Sequence, residues 1–388
     1  MKSNPSIFII STEFPPGPGG IGSHAYQVAK ELYRLGWAVT VFSEQEYSTP
    51  EEIEKFNSAT PFKIFRLFPT PSMFLLVLKF VKLFWASLQY SPDIVLGTGK
   101  HGAWFAVLVG KLTFKKTAVI GHGTEFIITM SDKSQKINKR AYSSADAIIH
   151  VSEYTRKIAE TAGVLNNNSF IIHNGADNEL FYKLEDKQIT DFKREKYLEG
   201  KKVIVTVGNV QTRKGHEWII RSMPEILSSI PNAHYYCVGL PTIQAHLEKI
   251  VEELQLSGHV HFIGKVNQHE LLDWLNAADV FAMTSIATNY GDVEGFGIAV
   301  IEAALCGTPA VVTNESGPGE AIIENVTGFG AKEKDTATIA QRIITLLKDK
   351  DLRNSMGQNA LNNAIQNLTW AIVVKKYNTV LSGLIKKL

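Results

Sequence analysis

The run Asp292-Val-Glu294-Gly295-Phe296-Gly297-Ile298-Ala-Val-Ile-Glu302 sets two carboxylates on either side of a Gly-Phe-Gly turn and the start of an apolar segment. If that segment is a helix, Glu294 falls before it and Glu302 about two turns inside it. The backbone N–H groups of Phe296, Gly297 and Ile298 then point out of the helix N-terminus, where an anion is favoured. Carboxylates suit the hydroxyls of a sugar or ribose, and amides suit a phosphate. Two acids on one helix are usually solvated, but Glu302 is flanked by Val300, Ile301, Ala303, Ala304 and Leu305, and an acid in apolar surroundings needs a partner.

Three further loops carry residue types of the same kind. In Gly208-Asn209-Val-Gln-Thr-Arg213-Lys214-Gly215 two cations adjoin; a planar guanidinium fork beside an ammonium point charge suits a diphosphate, while the plain alternative is a solvated basic turn. In Gly121-His122-Gly123-Thr124-Glu125 an imidazole and a carboxylate lie among small residues. Such a His can hydrogen-bond a sugar hydroxyl or carry a proton, or it can be a structural residue at a strand end; His101 and His150 are read as structural. The first loop, Thr12 to His24, places Gly17, Gly19 and Gly22 in the spacing of a dinucleotide fingerprint, with Glu44 where a ribose-binding acid would fall. That fingerprint must leave its strand at once, whereas Thr12 to Pro16 intervene here and Pro15-Pro16 keep the chain extended. An anion-binding Gly-rich loop leading into a helix is the better reading, and a turn with glycines for steric relief is the plain one.

The elements that must position these loops alternate. Short β-rich runs at Ile7–Ser11, Ala38–Ser43, Lys63–Phe68, Asp93–Gly97, Thr117–Gly121, Ala147–Ser152 and Phe170–His173 form a first series. A charged, weakly patterned stretch from Lys183 to Lys202 separates it from a second series at Val203–Val207, His234–Val238, Val260–Ile263, Val280–Thr284 and Ala310–Thr313. Amphipathic runs such as Trp218–Ile230, Ile243–Leu254 and Ile339–Leu347 lie between them. Alternation of this kind predicts an α/β protein with parallel sheets covered by helices. In such sheets ligands bind beyond the C-terminal strand ends, where all four loops fall.

A chain of 388 residues suits two domains, since single cores stop growing near roughly 250–300 residues. Its 40 basic and 38 acidic side chains nearly cancel, which gives no support to a nucleic-acid partner. Cys237 and Cys306 show neither metal-ligand nor disulfide spacing. The early apolar run Ile7 to Ile10 is shorter than a signal-peptide core, so a cytoplasmic protein is expected. Phe74 to Trp85 carries Lys79 and Lys82 and so fails as a spanning helix. It reads first as a core helix, and second as a membrane-docking surface with both lysines together beside its apolar faces.

With these motifs in place the chain resembles the retaining glycosyltransferases of family four, from Gly19-Gly20 to the segment at Trp370, with Glu294 to Glu302 as the signature. The resemblance implies the GT-B fold: two Rossmann-like domains with parallel sheets facing across a cleft. The expected division is an acceptor-side domain over 1–180, joined by a C-terminal helix over 370–388, and a nucleotide-sugar-binding domain over 181–369. The resemblance places Gly19, Gly20 and Ile21 near a diphosphate, His122 near the transferred sugar with Glu125 beside it, and Gly208, Asn209, Arg213 and Lys214 on the phosphates. It puts Val266 in the base-binding segment, Glu294 with the amides of Phe296, Gly297 and Ile298 on sugar and phosphate, and Glu302 on the ribose. His122, Arg213, Lys214 and Glu294 are the expected catalytic group. One departure is Asn209, which stands where the family usually has an Arg; an amide cannot replace a guanidinium, and Arg213 is left to take that load.

The expected activity is transfer of a hexose-type sugar from a nucleotide sugar, UDP favoured, to a saccharide or lipid-linked saccharide in cell-surface polysaccharide or glycoconjugate synthesis, without cofactor or metal. Fixed cations and amide dipoles aimed at the leaving diphosphate are the main lever, and no compact acidic cluster with metal duty is visible. A GT-B epimerase or hydrolase of nucleotide sugars and a non-catalytic nucleotide-sugar sensor are the rival readings.

Overall fold

The structure is a computed structural model that describes residues 4–17, 19–44, 48–68, 72–127 and 132–386. The chain divides into two compact units, Met1–Asn174 with Trp370–Leu388, and Gly175–Thr369.

In the first unit the strands are β1 (Ser6–Ser11), β2 (Ala38–Glu44), β3 (Lys63–Leu67), β4 (Ile94–Thr98), β5 (Lys116–Gly121), β6 (Ala147–His150) and β7 (Ser169–Ile171). They form one parallel sheet in the order β3-β2-β1-β4-β5-β6-β7. Strands such as Ser-Ile-Phe-Ile-Ile-Ser in β1 are apolar on both faces because helices cover both. Phe8, Phe42, Leu83 and Phe105 make one core layer, and Val107, Tyr142 and Ile148 part of another. The helix Trp370–Lys386 belongs to this unit: it packs on the helix Gly20–Arg34, and Trp37 Nε1 donates to Asn378 Oδ1 at 2.8 Å.

The second unit contains β8 (Lys202–Val207), β9 (Ala233–Val238), β10 (Val260–Gly264), β11 (Val280–Met283), β12 (Ala310–Thr313) and β13 (Gly328–Ala331). These also form a parallel sheet, ordered β10-β9-β8-β11-β12-β13. Ile204, Ile219, Met223, Leu247, Ile343 and Leu346 lie in the core on one face. In each sheet the strand order reverses beside the first strand, between β1 and β4 and between β8 and β11. A topological switch point of this kind opens a crevice at the C-terminal strand ends.

Two sequence expectations need correction. Strand β13, Gly328-Phe-Gly-Ala331, carried no β signal because half of it is glycine; a Cβ on Gly328 would press on the Ala310 carbonyl oxygen at 2.6 Å. The segment expected as a core helix is one on a single face only. Within the helix Met73–Tyr90, Leu83 is fully buried while Phe74 and Trp85 are 70% and 63% exposed. Lys79 and Lys82 do not lie together: Lys79 turns inward to pair with Glu44 at 2.5 Å, and Lys82 stays in solvent. An ammonium taken out of water must be paired, and Glu44 at the end of β2 supplies the charge. Among the described residues no helix is long and apolar enough to cross a membrane.

Candidate functional site

In the second unit the loops from β8 and β11, neighbours at the switch point, bring Arg213, Lys214 and Glu294 together. Beyond β8 the chain turns through Gly208 and Asn209 into a 3-10 turn, Thr212–Lys214. Gly215 follows with φ 75°, and a Cβ there would fall on the Thr284 carbonyl oxygen, so only glycine allows this turn to close against β11. Arg213 and Lys214 both donate to Glu294 Oε2, Lys214 from 2.9 Å. Arg213 Nε also lies 3.2 Å from Asp292 Oδ2. The Lys214 side chain runs past Gly208, its Cε 3.1 Å from where a Cβ would stand. Burial alone would raise the Glu294 carboxyl, but the charges and hydrogen bonds of Lys214 and Arg213 outweigh it, leaving Glu294 below its ordinary range.

The helix Ile298–Leu305 starts from Gly297, which has φ 83°. Phe296 anchors the turn inside the protein at 1% exposure, and the positive end of the helix dipole points out at this N-terminus. Glu302 is half-buried on the same helix. Burial pushes its carboxyl up to about 7, against an opposing pull from Lys214. Asn209 is exposed, and Val266 lies half-buried just past β10, at the same sheet edge but two strands from β8.

In the first unit His122 follows β5, and its Nε2 lies 2.8 Å from Thr98 Oγ1 at the end of β4. Its backbone N–H donates to Glu125 Oε1 at 2.7 Å, and Tyr142 Oη donates to the same oxygen at 3.1 Å. Glu125 is therefore spent on holding the His122 loop, with burial raising its carboxyl against those hydrogen bonds. Burial pushes the His122 imidazole down to about 4, so the ring is neutral at ordinary pH. His24, fully buried, meets His122 edge-on at 5.0 Å and shares a 3.1 Å hydrogen bond with Tyr377.

The Gly-rich loop leaves β1 at Ser11, and its helix begins only at Gly20, so the immediate strand-to-helix turn of a dinucleotide fingerprint is not formed. Gly19 has φ 146°, and a Cβ there would overlap the Glu13 carboxylate, which accepts from the Gly22 N–H and is raised chiefly by burial. Gly20 and Ile21 form the first turn of the helix. Arg66 holds this loop by donating to the Pro15 carbonyl at 2.6 Å and to Ser43 Oγ at 3.0 Å.

Asp292, Thr98, His24, Glu13 and Arg66 thus join residues expected from the sequence. Asp292 and His24 stood inside the motifs, whereas Thr98 and Arg66 are lone polar residues in strands and gave no signal. Among the described residues no group of three or more His, Cys, Asp or Glu side chains is arranged to hold a metal ion.

Two units, each built on a doubly wound parallel sheet, are the architecture of the GT-B fold. The profile of the family described as "Glycosyltransferase Family 4" matches residues 18–180, and that of "Glycosyl transferases group 1" matches 187–363. The chain is a glycosyltransferase of family four. It is 23% identical, over 99% of both chains, to the GDP-mannose-dependent monoacylated alpha-(1-6)-phosphatidylinositol monomannoside mannosyltransferase of Corynebacterium glutamicum. Identity is 25% to the GDP-mannose-dependent alpha-(1-6)-phosphatidylinositol monomannoside mannosyltransferase of Mycolicibacterium smegmatis, over 97% of this chain and 98% of the other. Among solved structures, Anabaena Alr3699/HepE in complex with UDP and glucose superposes with a TM-score of 0.83 at 18% identity, over 98% of this chain and 100% of the other.

Proposed function

We propose that the chain transfers a hexose-type sugar from a nucleoside diphosphate sugar to a saccharide or lipid-linked saccharide, with retention of configuration and without a metal. The observation that carries this reading is the Arg213–Lys214–Glu294 cluster at the switch point, beside the N-terminus of Ile298–Leu305. Breaking the C1–O bond leaves the electron pair on the nucleoside diphosphate. Two cations and a helix dipole held in place stabilise that growing charge without reorganising. Glu294 keeps both cations pointed inward until the donor arrives, and then accepts from hydroxyls of the sugar.

In this reading residues 181–369 hold the donor and 1–180 the acceptor. Gly208, Asn209 and the amides of Phe296, Gly297 and Ile298 contact phosphate and sugar, Glu302 the ribose, and Val266 the base. Gly19, Gly20 and Ile21 line the diphosphate, and neutral His122 accepts from or donates to a hydroxyl of the transferred sugar. The acceptor oxygen bonds to C1 on the face the diphosphate leaves, and its proton passes to the departing phosphate oxygen. GDP-mannose is the donor named for both mannosyltransferase relatives, so it stands beside UDP-sugars as a first choice.

A thermal-shift panel of GDP, UDP, ADP, their sugar conjugates and NAD, each with and without EDTA, tests this. A ligand at about 100 times its Kd adds about 2.7 kcal/mol of stability. One nucleoside diphosphate stabilising the protein regardless of chelator supports the reading, and stabilisation by NAD alone overturns it.

A further inference from the structure

The helix Met73–Tyr90 presents Phe74, Val77, Leu78, Val81, Trp85 and Leu88 to solvent, each 42–70% exposed, at spacings of three and four. That is a continuous apolar stripe along one side of the helix. The neighbouring helix Lys100–Leu112 adds Leu108 and Leu112, both about half exposed. The C-terminal ends of the two helices are tied by Ser87 Oγ to Thr113 Oγ1 at 2.8 Å and by Lys115 Nζ to Ser91 Oγ at 2.7 Å.

Just past the second helix stands Phe114, 95% exposed and with φ 56°. A left-handed residue after a helix is ordinarily glycine or asparagine. An aromatic there costs backbone strain as well as exposed apolar area. The left-handed turn closes the helix, with the Lys115 N–H donating to the Gly110 carbonyl at 2.7 Å, but nothing in it calls for an aromatic side chain, because Phe114 covers nothing.

Charge shows what the surface meets. Neither helix contains an Asp or Glu, and Lys82, Lys111, Lys115 and Lys116 accompany the apolar side chains. Asp93, an acid close in sequence, is taken up by the Ser6 N–H at 2.7 Å. Aromatic and aliphatic side chains interleaved with lysines and free of acids match the boundary between acyl chains and anionic headgroups. A protein partner of mixed charge would find no complement for its own lysines.

We propose that this face, the outer side of Met73–Tyr90 with Leu108, Leu112 and Phe114, docks on an anionic lipid bilayer. Phe114 and Trp85 enter the acyl boundary and the lysines lie on the headgroups. The face runs along the unit from Phe74, at the C-terminal strand ends, to Leu88 and Phe114 at the opposite end.

Flotation of the full chain with vesicles tests the proposal without reference to turnover. Wild type is expected to float with phosphatidylcholine/phosphatidylglycerol vesicles and to stay behind with pure phosphatidylcholine. Lys82→Glu should cut binding by about fivefold or more, on the contribution of one lysine at an anionic surface. The double variant Trp85→Glu/Phe114→Glu should abolish flotation while keeping the wild-type Tm, since both positions are exposed. Wild type that ignores anionic vesicles overturns the proposal, as does a folded double variant that floats like wild type. Light scattering that finds a dimer dissolved by the same double variant would overturn it in favour of a face between two copies.

Discussion

Glu302 offers the most quantitative handle on the site. Burial holds its folded pKa near 7 against an ordinary 4.5. A carboxyl whose folded value is raised costs nothing below the unfolded value. The penalty accumulates as pH climbs from 4.5 to about 7 and is complete above that. At about 1.36 kcal/mol for each tenfold change in proton affinity, the full penalty is roughly 3 kcal/mol. Glu302→Gln keeps the shape and removes the charge. At pH 8.5 the variant should therefore be more stable than wild type by roughly 3 kcal/mol, which for a unit of this size is on the order of 10 °C in Tm. The gap should close progressively toward pH 4.5. Thermal unfolding of both proteins across pH 4.5–8.5 reads this directly. A variant no more stable at pH 8.5, or a gap that does not change with pH, refutes a carboxyl whose burial outweighs the pull of Lys214. The same charge is proposed to accept from the donor ribose, so the stabler variant should bind nucleoside diphosphate more weakly. Titration calorimetry in buffers of different ionisation enthalpy should show a proton released on binding to wild type near pH 7 and none for Glu302→Gln.

Other predictions follow from the remaining loops. Lys214→Ala should lower kcat/KM by about 10²–10³ in a donor-consumption assay, the cost of removing one preorganised group from the developing charge. His122 is held neutral, so the pH–rate profile should lack an inflection near 6.5 from this group, and His122→Ala should reduce kcat at every pH between 5.5 and 8. Gly215→Ala meets both a positive φ and the Thr284 carbonyl and should lose roughly 2 kcal/mol or more in chemical denaturation.

Much of the fold was legible because buried parallel strands write themselves as short apolar runs. All seven strands of the first sheet and five of the six in the second stand in the sequence within a residue or two of their observed bounds. The exception, β13, contains Gly328, which lets the chain approach Ala310 of β12, and Gly330, which packs against Asn314 and Glu324, and glycines carry no β signal. The Arg213, Lys214 and Glu294 motifs were visible as loops; that they converge follows from β8 and β11 being adjacent, which no local pattern states. Thr98 was invisible because its role depends on pairing β4 with β5, and a lone Thr at a strand end has many uses. The helix Met73–Tyr90 reads in the sequence first as a core helix and second as a docking surface because its outward stripe is as apolar as its inward one, and periodicity cannot tell two apolar faces apart.

The Arg213–Lys214–Glu294 cluster is proposed as the place where a sugar leaves a nucleoside diphosphate for an acceptor. The direct measurement is product analysis by NMR after incubating the protein with GDP-mannose or UDP-glucose labelled at C1, with lipid-linked and soluble saccharide acceptors, in EDTA. Nucleoside diphosphate should be released in step with a new glycoside of the donor's own anomeric configuration, and Lys214→Ala/Glu294→Gln should yield neither product. Donor hydrolysed or epimerised without acceptor, binding without turnover, or a product of inverted configuration would contradict it.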